Sequence, residues 1–151
     1  MDIKEKVITF SSGGLFSDEN CLMDSPQSII TTSGQYKSGK IIDLTIILEG
    51  NDRTPSMDLI FFPEEPKIPS KVGERLNLNF DQLKMCSGRI QVVSEDFANV
   101  GNCSIANLFN VNMTFLVKEL YMITVYQDNN PFSYKPNTIS LSIGYELGNC
   151  G

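Results

Sequence analysis

Hydrophobic and polar residues alternate at every second position over much of the chain, a period that predicts β-strands rather than helices. In Thr138 to Leu147, large apolar side chains alternate with small polar ones, which predicts a strand with one buried face. Arg75 to Asp81 alternates in the same way. Lys40 to Glu49 places four aliphatic side chains on one predicted face: Ile42, Leu44, Ile46 and Leu48.

Shorter apolar segments, rich in β-branched and aromatic residues, raise the prediction to about eight or nine strands. These segments are Val7 to Phe10, Ser28 to Thr32, Met57 to Phe62, Arg89 to Ser94, Val111 to Val117 and Tyr121 to Gln127. Helix signals are poor, because no segment combines sufficient length with a capping residue. No interval between strands is long enough for a βαβ crossover, so we expect antiparallel pairing. The sequence predicts a single antiparallel β-sandwich domain over residues 1–151, with jelly-roll or immunoglobulin-like topology.

A glycine-containing segment, Gly34 to Ile41, matches the G-x-x-x-x-G-K pattern of phosphate-binding loops. However, Ile41 stands where such a loop needs Ser or Thr to bind magnesium. A phosphate loop also opens a helix, whose N-terminal amides bind the anion, and here a predicted strand follows. We therefore predict no nucleotide site, and expect a hairpin loop between the strands Ser28 to Thr32 and Lys40 to Glu49.

The chain of 151 residues contains no histidine, which argues against most catalytic and metal chemistry. Without histidine there is no Ser–His or Cys–His nucleophile and no imidazole proton shuttle. The four cysteines, Cys21, Cys86, Cys103 and Cys150, lack the close pairs typical of zinc sites. We predict free thiols, with Cys86 and Cys103 as the expected partners if the protein is oxidised. The sequence thus predicts no enzyme, no cofactor and no metal site.

The net charge of −6, from 12 Lys+Arg and 18 Asp+Glu, argues against nucleic acid as a partner. Phosphate binding needs a positive face, and the basic residues are dispersed along the chain. The first residues alternate in charge and show no signal-peptide pattern, and no apolar segment is long enough to span a membrane. We therefore expect no membrane partner and, outside any particle, a cytoplasmic location.

Charge is unevenly distributed along the chain. Residues 97–151 contain five charged residues but nine of the 13 asparagines. The cores of protein interfaces are depleted in charge while retaining hydrogen-bonding and aromatic groups, so this region is the predicted interface. The alternative is that it supplies central strands. The candidate interface residues are Asn107, Asn110, Asn112, Tyr126, Asn129, Asn130, Phe132, Tyr134, Asn137, Ser140 and Ser142.

These observations predict a non-enzymatic structural or interaction subunit of a multi-copy assembly. Its expected partners are copies of itself or other subunits of that assembly. By fold-level analogy, the assembly is a virus or phage particle, built in the host cytoplasm, with the chain as a capsid-auxiliary, ring or tail-type subunit. The alternative is a lectin-like module that binds glycans through asparagines and through rings near predicted loops: Tyr36, Tyr126 and Tyr134.

Overall fold

Two antiparallel sheets enclose one large hydrophobic core in the computed structural model, which describes residues 3–23, 25–50 and 54–148. The described residues form twelve strands, one short helix and a 3₁₀ turn at Ser94–Asp96. In chain order the other elements are β1 Ile3–Thr9, β2 Gly14–Phe16, β3 Gln27–Thr31, β4 Lys37–Glu49, β5 Met57–Phe62, α1 Phe80–Lys84, β6 Gly88–Val92, β7 Phe97–Val100, β8 Cys103–Leu108, β9 Met113–Val117, β10 Glu119–Tyr126, β11 Phe132–Tyr134 and β12 Ile139–Leu147.

The strand order is that of a jelly roll. The six-stranded sheet runs β1-β12-β4-β8-β7, with β9 also pairing with β4. The four-stranded sheet runs β3-β10-β5-β6, and β2 pairs with β11 in a small third sheet. Eight strands remain when β9 and the short strands β2, β7 and β11 are left aside: β1, β3, β4, β5, β6, β8, β10 and β12. Numbered one to eight in chain order, the first, eighth, third and sixth of them are neighbours in the six-stranded sheet. This arrangement confirms the all-β antiparallel prediction and selects the jelly roll of its two topologies.

Four strands were not expected from the sequence. Three of them, β2, β7 and β11, have only three or four residues, too few to show a period. In β8, the buried positions are held by Ser104 and Ala106, whose small side chains conceal the alternation. The number of strands expected from the sequence was therefore lower than the twelve that the described residues form.

Strand β4 is the axis of the six-stranded sheet, with β12 along one side and β8 followed by β9 along the other. The segment between β8 and β9 stays attached to β4, because the Val111 N–H donates to the Ile42 carbonyl at 2.8 Å. Asn110 and Asn112, with φ of 57° and 54°, take the left-handed backbone that asparagine tolerates.

A β-bulge at Ile42 exchanges the two faces of β4. Gly144 of β12 pairs with Asp43, but Tyr145 pairs with Ile41, so Ile42 has no partner in this register. As a result Ile41 is fully buried, whereas Ile42 is half-exposed. The expectation that Ile42 shares a face with the three aliphatic residues after it is therefore wrong, while those three are buried together.

The predicted hairpin between β3 and β4 is also wrong, because these strands belong to different sheets. The connection from β3 to β4 and the connection from β9 to β10 lie next to each other, and both pass from one sheet to the other. At this crossing, which we call the corner, the Lys118 carbonyl accepts hydrogen bonds from the Thr32 N–H at 3.1 Å and from the Thr32 hydroxyl at 2.7 Å. Ser33 and Gly34, with φ of 59° and 84°, turn the longer of the two paths.

Strand β5 is buried along its whole length because both of its faces are covered. Met57, Leu59 and Phe61 face the main core between the sheets. Ile60 and Phe62 face a second cluster on the other side of the four-stranded sheet. The connection between β5 and β6 covers that second cluster.

Arg75 to Asp81, predicted as a strand, forms part of this covering connection and has no strand ladder. Its alternation is nevertheless meaningful, because Leu76 and Leu78 pack against the second cluster. Helix α1 begins at Phe80, and the preceding Asn79 forms a capping box with Gln82. The polar positions of the predicted strand are therefore a helix cap and its surroundings.

The bulge makes a direct prediction for two neighbouring isoleucines. Replacing Ile41 with Ala removes a fully buried side chain and should lower the free energy of unfolding by about 2–5 kcal/mol. The matched change Ile42→Ala should cost below about 1 kcal/mol, because that side chain is half-exposed. Urea denaturation of both variants measures the difference, and equal losses would contradict the bulge.

The corner makes a second prediction. Replacing Thr32, which is 4% exposed, with the isosteric Val removes the hydrogen bond from its hydroxyl to the Lys118 carbonyl and should cost about 1–2 kcal/mol. The control Thr31→Val changes an exposed neighbour in β3 and should cost below about 0.5 kcal/mol. Both values come from denaturation curves, and a neutral Thr32→Val would contradict the role of this hydroxyl.

Candidate protein-interaction surface

The outer face of the six-stranded sheet carries two adjacent rows of uncharged side chains, which we call the central rows. In an antiparallel pair, directly opposed residues point to the same side of the sheet, so the register fixes which side chains are neighbours. One row contains Val7, Ser142, Thr45 and Asn107, from β1, β12, β4 and β8. The other contains Thr9, Ser140, Ile47, Ile105 and Ala98, from β1, β12, β4, β8 and β7.

Every side chain in the central rows is exposed or half-exposed. Val7 and Ile47 are 56% and 41% exposed, whereas the alternate residues Ile46 and Leu141 are each 1% exposed. The polar members are held in place: the Thr45 hydroxyl lies 2.9 Å from Asn107 Oδ1 and donates to it. The sheet therefore presents a partly aliphatic surface on which Thr45 and Asn107 are held by a hydrogen bond.

Charged residues border the central rows rather than interrupt them. Glu5 and Asp43 flank Gly144 in the row next to Val7, and Glu49 follows Ile47 along β4. Farther out, Lys40 Nζ lies 3.5 Å from Glu146 Oε1. An uncharged centre inside a charged rim is the usual arrangement of a protein interface.

The sequence-predicted interface residues divide among several places. Asn107, Ser140 and Ser142 lie in the central rows. Asn110 and Asn112 are exposed in the segment between β8 and β9, outside these rows. The exposed Asn129, Asn130 and Asn137 lie in the connections before and after β11. The structure thus brings three of these eight into the central rows, and interface membership for all of them stays a prediction.

The three aromatic candidates form a cluster with Phe16 of β2. The Tyr134 ring centroid lies 5.9 Å from that of Phe16 and 4.8 Å from that of Phe132. Tyr126 is fully buried and Tyr134 is 8% exposed, while Phe132 is half-buried. The Tyr126 hydroxyl donates to the Asn130 carbonyl at 2.6 Å. These side chains close one end of the sandwich and offer little or no surface to a partner.

A sequence signal for the burial of Tyr126 existed. Tyr126 has the same parity along β10 as Leu120 and Met122, so a strand places all three on one face. All three are fully buried. Two of the three rings named for the glycan alternative, Tyr126 and Tyr134, are thus buried. Tyr36 is 56% exposed, with Lys118 Nζ 5.0 Å from the centre of its ring.

Asparagines in the charge-poor region also have backbone roles. Asn110, Asn112 and Asn137 all have positive φ, a conformation for which asparagine is enriched. The Asp128 carboxylate accepts a hydrogen bond from the Asn130 N–H at 2.9 Å, which fixes a turn. In addition, β10 is almost wholly buried. Central strands and turns therefore explain part of the charge depletion, as the alternative interpretation proposed.

The ionisable groups with shifted pKa lie away from the central rows. The Glu119 carboxylate accepts hydrogen bonds from the Ser28 hydroxyl at 2.7 Å and the Tyr121 hydroxyl at 2.8 Å. These bonds lower the pKa of Glu119 and, because Tyr121 donates to a charged group, raise the pKa of Tyr121 to about 12. All three residues belong to β3 and β10 of the four-stranded sheet.

The cysteines within the described residues are free thiols: Cys21, Cys86 and Cys103. Cys103 lies in the six-stranded sheet, whereas Cys86 packs on the second cluster beside the four-stranded sheet, so the pairing considered for an oxidised protein does not form. Burial, with a smaller contribution from the charge of Glu74, raises the pKa of Cys21 to about 11. Cys150 lies outside the described residues.

Within the parts of the chain that the structure describes, no three Cys, Asp or Glu side chains converge as a metal site would require. Nor does any helix there have the length and apolar character needed to cross a membrane.

Comparisons with known proteins show no family for this chain. No protein-family model matches the sequence, and no curated protein matches it. Among solved structures, the chain is similar to the VP2 subviral particle of infectious bursal disease virus, with 14% identity and a TM-score of 0.35 over 94% of this chain. It is also similar to a structure of the Gx strain of that virus, with 10% identity and a TM-score of 0.31 over 97% of this chain.

The chain spans 32% and 38% of the lengths of those two structures. Both TM-scores are low, so neither likeness bears on the function of this chain.

The hydrogen bonds around Glu119 predict a titration. Glu119→Gln should return the pKa of Tyr121 from about 12 toward its ordinary value of 10.0, because the charged acceptor is lost. Ultraviolet tyrosinate absorbance measures it, and Tyr121→Phe identifies the signal. Because the pKa of Tyr121 is raised in the folded protein, its hydrogen bond to Glu119 contributes fully to stability below pH 10. This contribution is lost as pH rises toward 12. An unchanged late titration in Glu119→Gln would contradict this.

Proposed function

We propose that this protein is a non-enzymatic interaction subunit that packs through the central rows against a second copy of itself within a multi-copy assembly. The observation that carries this proposal is the uncharged, partly aliphatic outer face of the six-stranded sheet. Outer faces of solvated antiparallel sheets are polar, and exposed Val7 and Ile47 depart from that pattern. The proposal treats the chain as one domain.

The central rows are smaller than a complete protein interface. Five strands about 4.8 Å apart and two rows about 6.6 Å apart give an uncharged area of about 300 Å². A standard interface buries about 800 Å² on each partner, so a stable contact also includes the charged rim. Two copies meeting face to face would bury uncharged rows against uncharged rows and leave the rim charges near solvent.

The rim sets the expected salt dependence. Glu5, Asp43, Glu49 and Glu146 outnumber Lys40, so the rims of two facing copies repel each other. Salt screens exposed charges at about 8–10 Å. Self-association through this face should therefore strengthen as salt concentration rises.

The assembly we propose is a virus or phage particle, in which the chain serves as a capsid-auxiliary, ring or tail-type subunit. What supports this finer step is the jelly-roll topology, because jelly rolls recur in viral capsid domains, although they also occur in lectins and cupins. The predicted partners are copies of this chain and neighbouring subunits of the particle. Sedimentation of the native protein with particles, and its absence from the unassembled fraction, is the expected result.

A single substitution tests the face. Ile47→Lys places a charge in the centre of the rows and should weaken self-association by about tenfold or more, measured by analytical ultracentrifugation. The control is Leu83→Lys, which changes a comparably exposed aliphatic residue, 47% exposed, on α1. It should leave self-association unchanged. A wild-type protein that stays a monomer at micromolar concentration, or equal behaviour of the two variants, would overturn the proposal.

A further inference from the structure

Strand β1 contributes little to the core, although it pairs with β12 over seven residues. Six of its seven residues are exposed, and Ile8 is half-buried. The strand is thus held almost entirely by its main-chain ladder. Segments with few buried contacts are the first to open in a folded protein.

The residues after β1 provide a place where the chain can change direction. Phe10, 5% exposed, is the last anchor, since its N–H donates to the Ile139 carbonyl at 2.9 Å. Residues 11–13, Ser-Ser-Gly, then have no regular structure. A partly open cavity of about 230 Å³ lies where residues 8–12 face Leu22 and Met23, so solvent reaches one side of the base of this segment.

The charges of β1 oppose simple edge-to-edge pairing of two copies. A two-fold axis at Glu5 would place Glu5 opposite Glu5 with Lys4 opposite Lys6, and an axis at Lys6 would place Lys6 opposite Lys6. An axis at Val7 avoids like charges but pairs fewer residues of the strand than the axis at Lys6. Like charges directly opposite each other destabilise a sheet, and charged residues are a usual protection of edge strands. These charges do not oppose pairing with β12, where the Ser142 hydroxyl donates to Glu5 Oε1 at 2.6 Å.

We propose that residues 3–10 exchange between copies, so that β1 of one copy pairs with β12 of a second. The exchanged strand remakes the same ladder, the same Glu5–Ser142 hydrogen bond and the same Phe10 anchor, and residues 11–13 serve as the hinge. Because the contacts are identical, the cost is that of bringing two copies together. This inference rests on the proposed function, since the assembly supplies that proximity and raises the effective concentration of the second copy.

Single cysteines on the two strands test the exchange. Lys4 and Tyr145 are directly opposed, with Cβ atoms expected about 5 Å apart, close to the separation that a disulfide spans. Their side chains project from the side of the sheet opposite the central rows, so a face-to-face contact at the rows does not bring them together. Lys4→Cys and Tyr145→Cys are purified separately, mixed in denaturant, refolded together, allowed to assemble and oxidised. If the strand exchanges, a disulfide joins the two different variants, and a covalent dimer appears on non-reducing gels.

The control mixture pairs Lys4→Cys with Met113→Cys. Met113 lies in the same row of the sheet, but Ile41 and Tyr145 stand between it and Lys4, so this mixture should give no specific dimer. Wild-type protein, oxidised in parallel, reports the background from the native thiols. A dimer in the first mixture at least about fivefold above both controls supports the exchange.

The double variant Lys4→Cys/Tyr145→Cys distinguishes the failures. If it closes only a bond within each chain, and the Lys4→Cys and Tyr145→Cys mixture stays uncrosslinked while ultracentrifugation still shows association, the exchange is overturned and the proposed function stands. If the chains also remain monomeric, both are overturned.

Discussion

The fold depends on one crossing point, where two neighbouring strands pass together from one sheet to the other. The Lys118 carbonyl accepts two hydrogen bonds from Thr32, which is buried at the corner. Because β9 leads into β10 through this single residue, the two sheets cannot slide relative to each other along that path. The longer path through Ser33 and Gly34 absorbs the difference in length by left-handed backbone. The corner thus determines how the sheets face each other and where the core forms.

The outer face of one sheet is covered, and the outer face of the other is open. The connection from β5 to β6 covers the four-stranded sheet and buries a second cluster beneath it. The six-stranded sheet keeps its outer face open, and there the charges stay at the border of the central rows. The bulge at Ile42 is the reason the two ends of β4 direct different positions outward. A face-to-face contact uses the side chains of the rows, including Val7 and Thr9 of β1, whereas the exchange uses the main-chain ladder of β1. Together they would link more than two copies.

Local alternation predicted much of the fold. It identified β12 correctly, whereas the continuous apolar segment Met57 to Phe62 identified β5, which is buried on both faces. It failed at Ile42, where an extra residue inverts the pleat through pairing with distant β12. It failed between β3 and β4, because nothing local shows that the following strand joins the other sheet. The Asn79–Gln82 capping box was readable, but the leucine alternation of Arg75 to Asp81 dominated it. Of the candidate surface, charge depletion located Asn107, Ser140 and Ser142, whereas the position of Val7 beside them depends on long-range register.

The arrangement around β4 also determines how the molecule carries mechanical load. A force along β4 acts in shear on the ladders to β12, β8 and β9, so many hydrogen bonds resist it at once. A force that peels β1 sideways from β12 opens one residue pair after another and meets little side-chain packing. The sheet is therefore stiff along its axis and weak at one edge.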